Sequence, residues 1–576
     1  MQNILKKSFF ILEKYKHRLP LMFLLFLTVS LIDVIGIGMI GPFVALLAHQ
    51  GKIVDDYNIF LYLIGDADNE TVIAFVGILL VTIFCAKGFI AFFVQKKILS
   101  LGYEIRTSIV NKLVNSYQEM RYEDIANKDI SSMIVNANTH VGLFVDSLFV
   151  PALRMSIECI VVIGIFILMA YTNIILVLLI SLLLGIVLLV YFKFIKVRLY
   201  RYGRVMSEKE SDVIEEIKHI MGAFREIRLL GVEEFFRNEI KRDVIEFGKA
   251  GVITRSLHLV SRYLVEATLV IFIVIIVMYM LANSETVESI YSLLGVFAVG
   301  ALRLVPSFSA IGLGIANIRT ADFALNSLYN ELTVISKKSE KSSPEKINDS
   351  KFSRLQLRDI SYSYKSDKNR TILKKINLHL SQGDFIAISG KSGSGKSTLM
   401  DIMTGMLLPT EGELLINNKI VSHNSKKTMK WWQNKCAYIP QDVFLINSTI
   451  KSNIALGIRV ADIDENRLEL AIKGANLTET LIQNNMTIDS HVGVGGAKLS
   501  GGQRQRVALA RALYAGREII FMDEATSALD KETEEEVMNH LESLKGQITI
   551  VFITHSSAAI KNCDQVIQIV DGQLYT

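Results

Sequence analysis

Six apolar stretches, each long enough to cross a bilayer, constrain this chain more than any other feature, at 19–48, 71–95, 147–170, 172–195, 259–282 and 287–316. A helical span needs about 20 apolar residues, and backbone in lipid must satisfy its own hydrogen bonds, so an all-α membrane domain is expected. Only the turn-like Tyr171-Thr172-Asn173 separates the third stretch from the fourth. The last stretch contains Gly295, Gly300, Arg303 and Pro306, which suits a helix lining a cavity better than one facing lipid. Mean hydropathy is +0.36. The charged fraction is nevertheless 21%, close to the soluble norm of about 25%. One chain therefore meets two solvents.

Basic residues in the connections give the orientation. Lys6, Lys7, Lys14, Lys16 and Arg18 precede the first span. Lys96, Lys97, Arg106, Lys112, Arg121 and Lys128 lie between the second and third, and the connection from Lys193 to Arg255 is richer still. The loop after the first span instead carries Asp55, Asp56, Asp66, Asp68 and Glu70, and the loop after the fifth carries Glu285 and Glu288. A multi-pass protein of the inner, cytoplasmic membrane with both termini in the cytoplasm is expected. No signal peptide is expected, because the N-terminus lacks a small-residue cleavage site after a short apolar run. The long basic connections keep helical patterning and read as extensions of the spans, turning near 117–128 and 224–236. The net charge of +5 is too mild and dispersed to call for nucleic acid. Cys85, Cys159, Cys436 and Cys563 are spaced for neither a metal nor a disulfide framework.

Residues 336–351, SKKSEKSSPEKINDSK, are polar and unpatterned. They divide a membrane domain, 1–335, from a second domain, 352–576. Beyond them RLQLRDISYSY alternates like an exposed edge strand, and DFIAISG, CAYIPQ, EIIFMDE and ITIVFITH are short apolar runs between helical segments. That pattern predicts an α/β domain on a largely parallel sheet. Gly390, Lys391, Ser392, Gly393, Ser394, Gly395, Lys396, Ser397 and Thr398 follow the strand DFIAIS and open a helix. This is a P-loop in the required context. Its glycines let backbone N–H groups wrap a phosphate at a helix N-terminus. Lys396 reaches the outer phosphates of ATP, and the Ser397 hydroxyl suits Mg²⁺. The apolar strand Ile519–Met522 ends in Asp523, placed to hold the metal, and Glu524, placed to polarise a water as general base. Ser500, Gly501, Gly502 and Gln503 open the helix RQRVALARAL and make a second anion site at a helix N-terminus.

The string Leu499-Ser500-Gly501-Gly502-Gln503 is similar to the signature of the ABC ATPase family, and the domain resembles that family in motif order and spacing. The resemblance implies further roles. Tyr364 matches the aromatic that stacks on adenine, and Gln441 the glutamine that senses metal and water and touches the membrane domain. Ser527 to Asp530 matches the loop coupling two sites, and His555 the switch histidine at the γ-phosphate. In that family two domains dimerise head to tail, each ATP lying between the P-loop of one and the signature of the other. One chain holds one of each, which implies a homodimer. One departure stands just before the signature, where many exporters carry an acid and this chain has Val494.

The layout of six spans then one ATPase resembles half-size ABC exporters. The segment AFREIRLLG at 223–231 with Glu233 and Phe235, and ALRLVPS at 301–307, resemble bacterial lipid-linked oligosaccharide flippases and glycan exporters. Cations in spans cost roughly 2.5–3.5 kcal/mol and so face a wet cavity or a partner. Lys87, Arg262 and Arg303 stand where that group's basic belt implies basic residues, whereas Ala310 does not. They either clamp a lipid-linked diphosphate, or pair with Asp33, Glu158 or Glu266, or snorkel. A lipid-linked glycan is the expected cargo. A peptide exporter, a lipid or drug exporter, and an ATP-gated channel or regulatory membrane ATPase remain open.

Overall fold

The computed structural model describes residues 2–48, 69–126, 128–282, 287–339, 350–364, 370–421, 426–525, 531–554, 560–561 and 563–575. The acidic loop 49–68, linker residues 340–349, Ser527–Asp530 and His555 lie outside the described residues. The chain divides into two compact units: residues 1–119 with 129–336, and residues 120–128 with 337–576.

In the first unit six helices among the described residues are long and apolar enough to cross a membrane. They are α1 (Leu19–Ala48), α2 (Asn69–Gln118), α3 (Val150–Thr172), α4 (Ile174–Gly222), α5 (Glu233–Ala282) and α6 (Val287–Thr320). Asn173 breaks α3 from α4 in extended geometry, and its side chain accepts from the N–H groups of Ile175 and Leu176 at 3.1 and 3.2 Å. That cap satisfies two donors at the start of α4 that have no partner within the helix. Helices α2, α4 and α5 have 50, 49 and 50 residues. At 1.5 Å per residue each runs about 75 Å, more than twice a bilayer core of about 30 Å. The spans thus continue well beyond the membrane. Short helices, Tyr122–Ala126 and Phe224–Leu230, stand at the two turns, the second stopped by Gly231. Along the extensions Lys209 Nζ of α4 lies 3.1 Å from the buried carboxylate of Asp243 in α5.

Phe26, Phe144, Ile165, Val265 and Leu304 fill the interior of this unit, while Leu24, Ile78, Phe89, Ile167 and Leu178 point outward. So large an apolar exterior is a liability in water and an ordinary surface in lipid. The helix Asp322–Ser339 continues four residues into the stretch expected to be linker. Polar composition does not stop a helix already nucleated, since each further residue adds a hydrogen bond and Lys is a good helix former.

The second unit carries β1 (Arg354–Ser363), β2 (Thr371–Ser381), β3 (Phe385–Gly390), β4 (Glu411–Ile416), β5 (Lys419–Ile420), β6 (Cys436–Ile439), β7 (Ile519–Asp523), β8 (Thr549–Ile553), β9 (Gln565–Val570) and β10 (Gln573–Tyr575). Four form an antiparallel sheet in the order β2-β1-β4-β5, and six form a sheet in the order β10-β9-β3-β8-β7-β6, parallel except for β10. The expectation of an edge strand at RLQLRDISYSY is corrected here: β1 pairs on both sides, with β2 and β4. Its alternation records one covered face, which an interior antiparallel strand shares with an edge strand. By contrast β7 and β8 are buried at every residue and read as unbroken apolar runs.

Candidate nucleotide site and an intramembrane charge cluster

Parallel pairing aligns the C-terminal ends of β3, β8, β7 and β6, because Ile388 pairs with Ile553, Ile553 with Asp523, and Met522 with Ile439. The P-loop leaves β3, Asp523 and Glu524 end β7, and Gln441 follows β6, so distant segments meet along one sheet edge. Open parallel sheets bind ligands at this edge.

The P-loop turns on two glycines that no other residue replaces. Gly390 has φ +148° and Gly395 φ +104°, and a Cβ on them would sit 2.4 Å from the Ile569 carbonyl oxygen and 2.8 Å from Leu373 Cδ2. Gly395 also caps α7 (Lys396–Met403). Lys396, 6% exposed, donates from Nζ to the carbonyl oxygens of Gly390 at 2.9 Å and Lys391 at 3.2 Å. These are weak placeholders for a phosphate. The Ser394 hydroxyl is buried and finds no hydrogen-bond partner among the described residues. A buried orphan hydroxyl inside a glycine cradle at a helix N-terminus fits a phosphate group. Tyr364 Oη lies 3.2 Å from Thr398 Oγ1, and Tyr362 packs edge-on against the Tyr364 ring at 5.0 Å.

Two carboxylates stand together at the end of β7, Asp523 as its last residue and Glu524 just beyond it. Burial raises the Asp523 carboxyl pKa, a hydrogen bond from Ser397 opposes this, and Glu524 adds to the rise. Tyr438 Oη donates to Asp523 Oδ2 at 3.4 Å. Burial, then Asp523, pushes Asp401 up to about 6. So concentrated a negative field beside the Ser397 hydroxyl fits a hard cation with oxygen ligands. Glu524 sits at φ 47°, a left-handed conformation few non-glycine residues adopt. Its N–H donates to the Ile553 carbonyl at 3.2 Å, its carbonyl accepts from Gln505 Nε2 at 3.5 Å, and its Oε2 accepts from Gln441 Nε2 at 2.8 Å. Strained backbone of this kind persists where neighbours over-determine it. The effect is to hold the carboxylate out from the strand end.

Ser500 caps α8 (Gly501–Ala515) in a capping box: its Oγ accepts from the Gln503 N–H at 3.3 Å, and Gln503 Oε1 accepts from the Ser500 N–H at 2.8 Å. Its hydroxyl proton is directed to no acceptor among the described residues, so it can serve an anion together with the N-terminal N–H groups of α8. Within the described residues the structure thus brings Gly390 to Thr398, Gln441, Asp523 and Glu524 to one edge.

Sequence reasoning missed Asp401, Tyr438 and Gln505. Tyr438 was within reach, lying on β6 three residues before Gln441; the others depend on packing. It also missed Tyr122, whose helix groups with the ATPase unit. Burial raises the Tyr122 phenol pKa, with Asp401 and Tyr364 adding to it.

Lys396→Ala removes the buried cation of the cradle. A hydrogen bond to a charged group is worth about 1.5–3 kcal/mol, so the affinity for a fluorescent ATP analogue should fall by about 10- to 100-fold, read by titration. Native affinity would remove Lys396 from the site.

In the membrane unit, Arg303 of α6 directs Nε to Asp33 Oδ2 at 2.8 Å and Nη1 to Glu158 Oε2 at 3.2 Å. Lys87 of α2 pairs with the other oxygen of Asp33. Ser307 donates to Glu158 at 2.7 Å. The carboxylate partners named from sequence as the alternative to a cargo role are therefore in place for both cations. Arg262 is exposed on α5.

Comparison with known proteins agrees with this geometry. Residues 373–527 match the family described as ABC transporter. Over 221 residues the chain is 37% identical to the ATP-dependent lipid A-core flippase of Ralstonia nicotianae, an alignment covering 38% of this chain and 37% of that protein. Over 206 residues it is 37% identical to the flippase of the same name from Cupriavidus pinatubonensis, covering 36% and 34%. The chain therefore spans little more than a third of the length of the curated relatives it matches. The solved structure of a bacterial Atm1-family ABC exporter with ATP bound superposes with a TM-score of 0.74 over 98% of this chain and 95% of that one, at 18% identity. With its P-loop and strand-end carboxylates, the second unit carries an ABC transporter ATPase domain, and the chain as a whole, six-helix unit first, has the fold of an ABC exporter.

Proposed function

We propose that this chain is one half of a homodimeric exporter that couples ATP hydrolysis to flipping an amphipathic lipid, with its ATPase domain and both termini in the cytoplasm. The observation that carries the reading is the division of labour within one chain. The Lys396 cradle and the Ser500 helix end are two separate anion sites, and a composite ATP site needs one of each from different copies. ATP binds with Mg²⁺, the metal held by Ser397 and Asp523 with Gln441 beside it. Glu524 takes a proton from the attacking water; Gln441 orients its carboxylate. Tyr364 offers its ring to adenine, while His555 and Asp530 complete the γ-phosphate and coupling contacts. A further support for self-association is the short helix Phe224–Leu230, where Leu229 and Leu230 are 87% and 74% exposed, an apolar face that a second copy can cover.

For the cargo, relatives named for flipping lipid A-core favour a lipid. The finer assignment is a lipid-linked oligosaccharide with a diphosphate, met by Lys87, Arg262 and Arg303. In nanodiscs, ATP hydrolysis should be stimulated by polyprenyl-diphosphate glycans and not by peptides; stimulation by peptides alone would replace this reading with peptide export. The dimer has its own test. Cysteines at Ser394 and Gly502 in a Glu524→Gln background should cross-link separate chains when ATP and Mg²⁺ are present. Full-rate hydrolysis by a monomer would sink the shared site.

A further inference from the structure

The cluster at Asp33 has a geometry that a plain structural ion pair does not require. Four helices contribute: Asp33 from α1, Lys87 from α2, Glu158 from α3, and Arg303 with Ser307 from α6. Asp33 is 1% exposed, whereas the side chains of Lys87, Arg303 and Glu158 are 23%, 24% and 21% exposed. One fully buried carboxylate therefore engages two cations that each keep about a quarter of their side-chain surface exposed, Lys87 with one oxygen and Arg303 with the other. Glu158 is held differently. Itself 21% exposed, it meets Arg303 at Nη1, and Ser307, buried, donates to the same oxygen at 2.7 Å.

A guanidinium has five N–H donors and an ammonium three. Asp33 takes Nε of Arg303 and one direction of Lys87, while Nη1 of Arg303 faces both Ser307 Oγ at 3.1 Å and Glu158 Oε2 at 3.2 Å. The Nη2 group of Arg303 and the remaining protons of Lys87 meet no acceptor among the described residues. The cluster is neutral overall, with two cations and two carboxylates. Two cations from different helices are fixed side by side on one buried carboxylate, and of their two counter-ions one is 1% exposed and the other 21%.

We propose that Asp33 is the fixed positioning residue of an anion clamp formed by Lys87 and Arg303, and that Glu158 is a displaceable internal competitor occupying the clamp until a phosphate-bearing ligand replaces it. This rests on the exporter reading above and assigns its cargo site a gate. On binding, phosphate oxygens take over the Arg303 donor now held by Glu158, and Ser307 retains the released carboxylate through its hydroxyl. Asp33 stays in place, because removing it would scatter the two cations it joins. The clamp thus binds only ligands anionic enough to outcompete a carboxylate already in position.

The two carboxylates then have opposite effects, which separates this clamp from a simple excess of positive charge. Glu158→Gln keeps an acceptor for Ser307, frees the Arg303 donor, and should tighten binding of fluorescent undecaprenyl diphosphate in phosphatidylcholine nanodiscs by about tenfold. Asp33→Asn should weaken the same binding by about tenfold, although both substitutions raise the net charge by one. Inorganic pyrophosphate, added as competitor in a Lys396→Ala background so that the P-loop does not take it up, separates the sources. Displacement of the lipid by pyrophosphate alone assigns the clamp to the free anion, and no displacement assigns it to the lipid headgroup. Unchanged affinity in Glu158→Gln, or tighter binding in Asp33→Asn, would overturn the proposal. Should Asp33→Asn fail to fold, Glu158→Gln decides alone. Stimulated hydrolysis with neither variant shifting binding removes the clamp and leaves the exporter reading. Shifted binding without any flipping keeps the clamp and removes export.

Discussion

Glu524→Gln should lower ATP turnover by about 10²- to 10⁴-fold, the contribution typical of a positioned general base, while leaving ATP binding near its native strength. The substitution is isosteric, and the phosphate contacts lie elsewhere, on Lys396 and the loop before it. The strained conformation at φ 47° should survive, because its N–H and carbonyl are held by Ile553 and Gln505 whatever the side chain's charge. The amide can still accept from Gln441. What it cannot do is take a proton from water. Single-turnover hydrolysis together with equilibrium ATP binding reads the two effects apart. A variant hydrolysing at the native rate would transfer the role to another group, and one that loses ATP would make Glu524 a binding residue.

Arg303→Ala carries the second large effect, on stability rather than chemistry. Arg303 is the cation that joins Asp33 to Glu158 across three helices. Removing it leaves Glu158, among the described residues, with the Ser307 hydroxyl and halves the positive charge around a carboxylate that is 1% exposed. Breaking a buried pair from one side costs about 3–5 kcal/mol, and because Lys87 stays on Asp33 while Glu158 keeps Ser307 and some solvent, the loss here should fall toward the low end of that range. Arg303→Lys should cost less, because one ammonium can hold one of the two carboxylates but lacks the fork that reaches both. Thermal unfolding in nanodiscs should rank wild type above Arg303→Lys above Arg303→Ala. Equal midpoints for all three would show that the pairing contributes nothing to the fold.

The departure at Val494 acquires a physical description. Val494 is 78% exposed at the tip of a tight turn, with Gly495 and Gly496 both at positive φ. Whatever meets that tip meets an apolar side chain, so a carboxylate-based contact there is not available to this chain.

Local chemistry was legible from the residues alone. Twenty or more apolar residues in a row leave a helix in lipid as the one structure that satisfies its backbone. The P-loop was legible because only glycine tolerates the backbone at Gly390 and Gly395, and such a requirement writes itself into sequence. The capping box of Ser500 and Gln503 spans three residues and is equally local. Strand periodicity revealed faces but not neighbours: β1 alternates as an edge strand does, yet pairs on both sides. The order β3-β8-β7-β6, which draws Lys396, Glu524 and Gln441 to one edge, depends on pairings between segments 165, 30 and 83 residues apart. No single segment encodes such pairings, because their energy comes from burial of both partners. The same holds for Asp33. In sequence it is one acid in an apolar run, with Lys87 54 residues and Arg303 270 residues further on. Only the packing of four helices determined that its two oxygens would each hold a cation, since the cost of burying that charge is met by partners that no local pattern can name.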